Sequence, residues 1–123
     1  MNMITEKMIY IKKRQTRLAI KLEDILYLEK FRRQIIVHIT EGEDVRVYGK
    51  FDELLPMLDE RFAHPHQSYI INMQHIIRLG SNEVIMRRSM KIKLGNHCFA
   101  KMKKAYDKYI KDNIIKYCDR KGC

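Results

Sequence analysis

Residues 61–79 read RFAHPHQSYIINMQHIIRL and join a polar patch directly to a strongly apolar run. Residues 69–71 (YII) are aromatic and β-branched and lie between turn formers, which predicts a short buried strand. Residues 64–68 (HPHQS) precede it, and Pro65 removes one backbone N–H and disfavours helix in the residue before it. The stretch therefore predicts a stiff polar loop held on a rigid strand.

The polar part of this stretch is a candidate binding loop. His64, His66, Gln67 and Ser68 carry donors and acceptors that can hydrogen-bond to phosphates or to base edges. Binding residues concentrate in loops that a rigid scaffold holds in place. The alternative is a solvated connector, because clusters of this composition are often only turns between two elements.

The composition indicates one globular domain with an anionic partner. The 123 residues suffice for a single core, and 46% hydrophobic and 33% charged residues are ordinary values. Lys and Arg number 25 against 15 Asp and Glu, a formal net charge of +10, which favours polyanions such as nucleic acid or acidic lipid. No apolar stretch approaches the roughly 20 residues of a membrane span, and the N-terminus has no signal-peptide core. We therefore expect a cytoplasmic protein without membrane insertion.

The sequence carries no recognisable catalytic or metal-binding pattern. Cys98, Cys118 and Cys123 are an odd set without a C-x-x-C pair, which predicts free thiols. His64 and His66 are the closest histidine pair, whereas zinc sites need three or four ligands in recognisable spacing. A Gly-rich phosphate loop, a nucleophile elbow and a His-Glu-x-x-His helix are all missing. We expect neither an enzyme nor a cofactor or metal site.

Short apolar segments, several of them alternating with polar residues, recur along the chain and predict strands separated by short turns. These segments are residues 8–12, 17–22, 25–29, 35–39, 45–49, 69–71, 76–79, 83–87 and 90–94. The acidic turn over residues 40–44 is expected to face away from any nucleic acid. The balance predicts a mainly β fold with short helices, of the α+β class.

Two segments change to helical spacing. Over residues 50–62, apolar side chains recur at intervals of three, four and seven, with Pro56 near the first turn, which predicts a short structural helix. From about His97, apolar positions follow helical spacing as far as Ile114, and Gly95 or Asn96 can cap this helix. From His97 to the end of the chain, eight Lys or Arg oppose three Asp. We expect a long, basic C-terminal helix.

The connection between the third and fourth predicted strands is a second candidate contact loop. Arg32, Arg33 and Gln34 lie in it, next to Lys30. The arginine guanidinium is a planar fork that can engage guanine in a bidentate manner or clamp a phosphate. The alternative is a solvated basic turn, because arginine is an ordinary surface residue.

Two of these segments resemble a known family. Residues 66–72 (HQSYIIN), followed by Ile76, resemble the central signature of LytTR-type DNA-binding domains, which form the output half of many bacterial response regulators. Residues 24–29 (DILYLE) are similar to the phrase with which members enter their main sheet. The resemblance covers roughly residues 8–110. It implies the LytTR fold of stacked antiparallel sheets, with a short interior helix and a C-terminal helix.

A third segment departs from the family. Residues 94–97 (LGNH) stand where members carry an aliphatic residue followed by Ser-Arg-Arg. The two arginines of the family pattern are thereby replaced by Asn96 and His97. The start of a helix still offers backbone N–H groups to a phosphate, so we expect substitute contacts from Asn96, His97 and Lys101.

In the family, loops between strands enter successive major grooves and follow the backbone across the intervening minor groove. By motif, the resemblance implies DNA contacts for Arg33, Gln67 and His97. It further implies a bacterial transcription regulator whose site contains repeated half-sites bound by two copies. We expect residues 1–123 to form a single domain, with a core over about 8–110 and a basic helical extension over 111–123.

The sequence has no receiver domain before this unit, so we expect either a stand-alone regulator of the two-component type or an excised output domain. An alternative function is a protein-interaction module that a membrane-bound partner sequesters. Another is a basic RNA-binding β-domain. RNA binding favours exposed stacking aromatics, whereas most aromatics here occupy apolar-periodic positions.

Overall fold

A computed structural model of the chain describes residues 6–116. Over these residues the strands are β1 (Met8–Lys13), β2 (Thr16–Lys21), β3 (Ile25–Phe31), β4 (Gln34–Ile39), β5 (Val45–Tyr48), β6 (Phe62–His66), β7 (Tyr69–Asn72), β8 (Ile76–Gly80), β9 (Glu83–Met86) and β10 (Met90–Lys93). The α-helices are α1 (Phe51–Leu54) and α2 (Asn96–Ile110). All the strand pairs are antiparallel.

The strands form three sheets, and the largest lies between the other two. The central sheet has the order β5-β4-β3-β7-β6, beside a β1-β2 hairpin and a β10-β9-β8 sheet. A hairpin-side core joins the central sheet to the β1-β2 hairpin and α1. A helix-side core joins its other face to the β10-β9-β8 sheet and α2. The predicted mainly β fold of stacked antiparallel sheets is confirmed.

Burial on both faces explains why β3 is apolar without alternation. Ile25 and Leu28 enter the hairpin-side core, whereas Leu26 and Tyr27 enter the helix-side core. The pairing of β3 with β4 shifts register between Ile25 and Tyr27, as a bulge does. Sheets covered on both faces favour such continuous apolar runs over a period of two.

The interior helix is much shorter than predicted. α1 has four residues and continues only as a 3-10 turn over Leu55–Met57. Pro56 lies in that turn and lacks the N–H that a longer α-helix needs. Leu58 is already extended, and Phe62 belongs to β6. The structural role is confirmed, because Phe51 and Leu54 are buried in the hairpin-side core.

The polar loop predicted over residues 64–68 is also shorter, because His64 to His66 belong to β6. Only Gln67 and Ser68 form the turn to β7. β6 is an edge strand, where a residue without an N–H is tolerated, and its pairing with β7 shifts register around Pro65.

The C-terminal helix begins close to the predicted position but ends earlier. Gly95 is its N-cap, without a side-chain capping bond, and Met102 is fully buried against the helix-side core. After Ile110 a 3-10 turn follows, and Ile114 and Ile115 are exposed, so the helix predicted to reach Ile114 is wrong. The rest of the predicted extension, with Cys118 and Cys123, lies outside the described residues. Within residues 6–116, no helix has the length and apolarity to cross a membrane.

Candidate nucleic-acid interface

Two of the predicted contact sites lie side by side at one end of the central sheet. Residues 32–33 form the two-residue turn between β3 and β4, and residues 67–68 form the turn between β6 and β7. β3 and β7 are antiparallel neighbours, so the end of one lies beside the start of the other. Lys30 N donates to Ser68 O at 2.8 Å and fixes the two turns together. We call this end of the central sheet the turn end.

The β3-β4 turn presents two exposed arginines on a pinned backbone. Arg32 adopts a positive φ of 59°, and its guanidinium lies 5.3 Å from the centroid of the Phe31 ring. Arg33 O accepts from Gly49 N at 3.3 Å. Lys30 Nζ donates to Gly49 O at 2.7 Å, so this lysine holds the scaffold and is not part of the exposed set. The Arg32 and Arg33 side chains point out from a fixed turn, whereas Gln34 is half-buried in β4.

The β6-β7 turn orients one imidazole. Ser68 N donates to His66 Nδ1 at 2.9 Å, which requires an unprotonated Nδ1 and leaves the proton of a neutral ring on Nε2. The His66 ring also packs at 5.4 Å from the Tyr69 ring. Gln67 is exposed at the tip of the turn. The turn thus offers an amide with a donor and an acceptor, beside an imidazole whose Nε2–H is a donor.

His64 and Lys101 connect this region to α2. The His64 ring meets the Phe51 ring edge-on at 5.5 Å. Burial lowers the pKa of His64, and the positive charge of Lys101 lowers it further. Both residues line a 570 Å³ cavity between β6 and α2, together with Pro65 and Lys108. At neutral pH, His64 is therefore neutral and the positive charge here belongs to the lysines.

The start of α2 is held against the β10-β9-β8 sheet. Asn96 Oδ1 accepts from Asn82 Nδ2 at 2.7 Å, which ties the helix to the β8-β9 turn. His97 is exposed on the first turn of the helix. Of the three residues predicted at this third site, Asn96, His97 and Lys101, it is Lys101 that lies next to His64 and so beside the β6-β7 turn. Across residues 6–116, no cluster of three or more His, Cys, Asp or Glu side chains is placed to hold a metal ion.

Asn72 has a structural role in the protein interior. It is fully buried, and its Nδ2 donates to Leu22 O at 3.2 Å and to Ile25 O at 2.8 Å. Its Oδ1 accepts from Gln74 N at 2.9 Å. The last residue of the HQSYIIN motif therefore joins β7 to the link between β2 and β3, and it builds the scaffold.

A second buried polar group, His38, was missed by sequence reasoning. Its Nε2 lies 2.8 Å from Glu29 Oε1 and its Nδ1 lies 2.9 Å from Asp44 Oδ2. The ring stacks on Tyr27 with centroids 4.1 Å apart, and burial raises the pKa of the Tyr27 hydroxyl far above its ordinary value. His38 sits in an apolar run, and nothing in that pattern indicates the two carboxylates, which come from other elements.

The comparisons with known proteins agree with this architecture. The family model of the LytTr DNA-binding domain matches residues 15–107, which include all three predicted contact sites. Accessory gene regulator protein A of Staphylococcus epidermidis is 30% identical over 97 residues, and that of Staphylococcus aureus is 27% identical over 97 residues. Each alignment covers 77% of this chain and 38% of the relative, so the chain spans well under half the length of these curated relatives.

A LytTr DNA-binding domain from Bacillus cereus superposes with a TM-score of 0.67 at 16% identity, covering 82% of this chain and 97% of that one. This likeness shows the shared fold. The family model matches most of the chain, and the match includes the HQSYIIN segment, which begins at the turn end. The resemblance seen in the sequence is confirmed, and the chain belongs to the LytTr DNA-binding domain family.

Proposed function

We propose that this chain binds double-stranded DNA in a sequence-specific manner through the turn end and acts as a bacterial transcription regulator. The observation that carries the proposal is the Lys30–Ser68 backbone bond, which holds the β3-β4 and β6-β7 turns next to each other. Four neighbouring strands at about 4.8 Å spacing put the centres of the two turns about 10 Å apart. Because the major groove is about 12 Å wide, turns this close can address one groove or the two sides of one phosphate backbone.

The roles follow from what each side chain offers. Arg33 contacts a guanine edge or a phosphate, and Gln67 reads a base edge through its amide. Arg32, His66 and Ser68 donate to phosphates beside these contacts. Gln34 is half-buried in β4 and positions the β3-β4 turn, whereas His64 is exposed on β6 beside Lys101 and offers a further polar contact.

The start of α2 supplies the altered third contact. Asn96 and His97 occupy the first turn of the helix, and Lys101 lies one turn further along the chain. Backbone N–H groups at a helix start and a nearby lysine suit a phosphate. Base reading therefore falls mainly on the two turns, and this site adds affinity for the backbone.

The wider biological setting follows from the relatives. The family is defined by a DNA-binding domain, and the staphylococcal relatives are named accessory gene regulator protein A. This chain corresponds to 38% of those relatives, as one domain whose core covers about residues 8–110. The regulator works in the cytoplasm on repeated half-sites that two copies occupy, under the control of a signalling partner, and it catalyses no reaction.

Single-stranded RNA is the second candidate ligand, because two aromatic rings near the turn end are exposed. Phe31 is 50% exposed and Tyr48 is 79% exposed, although most aromatics were expected in the core. Exposed rings on a basic β surface can stack on unpaired bases. The family membership favours duplex DNA, where such rings have no unpaired base to stack on.

The test selects bound fragments from a random duplex library and compares affinity for the selected duplex with that for single-stranded RNA of the same sequence. We expect duplex binding to be stronger. If about five phosphates are neutralised, log K should fall with log salt at a slope of about −4 to −5. A slope near zero on duplex DNA, or tighter binding to the RNA, would contradict the proposal.

A further inference from the structure

The β1-β2 hairpin points its tip toward the turn end. At its base, Met8 and Ile20 line a cavity with Ile39 and Thr40, which lie at the opposite end of the central sheet. Nearer the tip, Lys12 shares a cavity with Ile35, Gly49 and Lys50. Gly49 N is bonded to Arg33 O, so these residues border the β3-β4 turn. The hairpin therefore runs along the central sheet and ends beside the arginine turn.

The tip is densely cationic. Lys12, Lys13 and Arg14 are exposed there, and Arg14 has a positive φ of 54°, like Arg32 in the neighbouring turn. Arg17 Nη1 donates to Arg14 O at 3.1 Å, which fixes the shape of the turn. Three positive side chains thus lie at the end of β1 and in the ordered turn that follows it.

The charges of the tip differ from those at the base of the same hairpin. At the base, Lys21 Nζ lies 3.2 Å from Glu6 Oε2 and Lys7 Nζ lies 3.4 Å from Asp59 Oδ2. Among residues 6–116, the ion pairs involve Lys7, Lys21, His38, Arg61 and Lys91, and none involves the tip cations. The acidic residue that lines the cavity shared with Lys12 is Glu53, whose Oε1 accepts from Lys50 N at 3.1 Å. Local acids therefore leave the tip charge available to an external anion.

We propose that the tip of the β1-β2 hairpin is an additional DNA-backbone contact, formed by Lys12, Lys13 and Arg14. This proposal rests on the proposed function and adds a site that the family signatures in this sequence do not mark. Packed sheets lie about 10 Å apart, so the tip is displaced by that distance from the layer of the two turns. One strand carries a phosphate every 3.4 Å along the helix axis, so this displacement corresponds to about three base-pair steps. The hairpin thus reaches phosphates outside those beneath the turns.

The contact is expected to add affinity without adding sequence preference. Lysine ammonium and arginine guanidinium groups bind phosphate oxygens, which are the same at every base pair. Each neutralised phosphate contributes about 0.9 to the salt slope, equivalent to about eightfold in affinity at 0.1 M salt. Loss of the tip charges should therefore weaken selected and random duplexes by the same factor.

The experiment uses the full chain and three variants: Arg14→Gln, Lys13→Gln/Arg14→Gln and Arg87→Gln. Arg87 is a matched control, because it is exposed and adjoins Arg88, whose guanidinium bonds to Ile39 O and Gly42 O at the opposite end of the central sheet. We expect Arg14→Gln to bind selected and random duplexes about eightfold more weakly at 0.1 M salt, with the slope shallower by about 0.9. The double variant should show about twice that change in slope.

Two further measurements separate the possible outcomes. Arg14→Lys should restore most of the affinity, because it restores the charge, and thermal melting should show that every variant is folded. Tip variants that bind as tightly as Arg87→Gln, while the parent keeps its steep salt slope, would overturn the hairpin contact alone. A parent slope near zero would instead overturn the proposed function.

Discussion

The two ends of the central sheet are built from the same strands and differ in how their charged groups are arranged. At the turn end, Arg32 and Arg33 are exposed, and the hairpin tip adds further cations. At the other end, which we call the far end, residues 40–44 include three acids, and Arg88 is held by the carbonyls of Ile39 and Gly42 at 2.9 and 3.1 Å. The three acids of residues 40–44 therefore lie at the opposite end of the central sheet from Arg32 and Arg33.

The two ends also differ in what their polar groups do. The far end contains buried polar side chains that are bonded to the protein, namely Asn72 and His75, whose Nε2 is bonded to Glu23 O. Turn-end groups are held by their backbones while their side chains stay exposed. Changes at the far end should therefore alter stability, and changes at the turn end should alter binding.

The largest effect is expected from Asn72→Ala. It removes three hydrogen bonds and leaves buried carbonyls unsatisfied, at about 1 to 3 kcal/mol for each uncompensated group, so we expect a loss of about 3 kcal/mol or more in the free energy of unfolding. Urea unfolding measures it. Gln74→Ala is the control, because Gln74 is exposed, and it should change stability by less than about 0.5 kcal/mol. Equal stability of the two variants would contradict the structural role of Asn72.

Arg33→Ala and Gln67→Ala test whether the side chains at the turn end read DNA bases. A good bidentate base contact is worth about 1 to 3 kcal/mol of discrimination, so each variant should narrow the gap between selected and random duplex. Arg33→Ala should also make the salt slope shallower by about one, whereas Gln67→Ala should leave it unchanged because Gln67 is neutral. If both variants melt like the parent yet keep its full preference, the turns do not read bases.

Lys101→Gln should change both binding and the titration of His64. Loss of one phosphate contact predicts a salt slope shallower by about one, with similar weakening on all duplexes. Because the charge of Lys101 lowers the pKa of His64, its removal should raise that pKa, whereas burial still acts to lower it. NMR titration of the free protein measures this shift, and an unchanged His64 titration would place Lys101 away from the imidazole.

Asp59 offers a pH test of the far end. Burial raises the pKa of its carboxyl, but the hydrogen bonds and charge of Arg61, together with a hydrogen bond from Lys7, outweigh burial, so the net pKa is lowered. A lowered folded pKa stabilises the protein above the unfolded value and loses that contribution as pH falls through the folded value, below about pH 4. Asp59→Asn should therefore flatten the loss of stability between pH 5 and pH 2. Parallel pH profiles for variant and parent would be the contrary result.

The smallest effect is expected from the cysteines. Cys98 is a half-buried free thiol beside the helix-side core. Replacing all three cysteines with Ser should leave DNA affinity within about twofold under reducing conditions, because a thiol of this kind contributes packing and no charge. A large loss that zinc reverses would point to a metal site.

All the strands except β6 could be predicted, because their causes are local, whereas residues 64–66 of β6 were assigned to a polar loop. Apolar segments bounded by Gly, Asn and charged residues located the strands, and the HQSYIIN motif indicated the family. The interior helix was overestimated, because the spacing of Phe51, Leu54 and Phe62 fits a helix that Pro56 interrupts. The C-terminal helix was extended to Ile114 because periodicity continues where packing has ended.

What could not be predicted depends on topology. Nothing local shows that the β1-β2 tip lies beside the β3-β4 turn, because that proximity comes from packing one sheet on another. The pairing of His38 with Glu29 and Asp44 likewise joins three elements. The DNA-contact residues themselves stay predictions, which the variants above test.

Pro65 has one more consequence, for strand pairing between separate molecules. The free edge of a strand is a template onto which another chain can add a strand, which leads to aggregation. β6 forms one edge of the central sheet, and Pro65 interrupts its row of N–H donors. A second chain therefore cannot add a strand continuously along β6, and the proline that precedes the β6-β7 turn also limits aggregation through this edge.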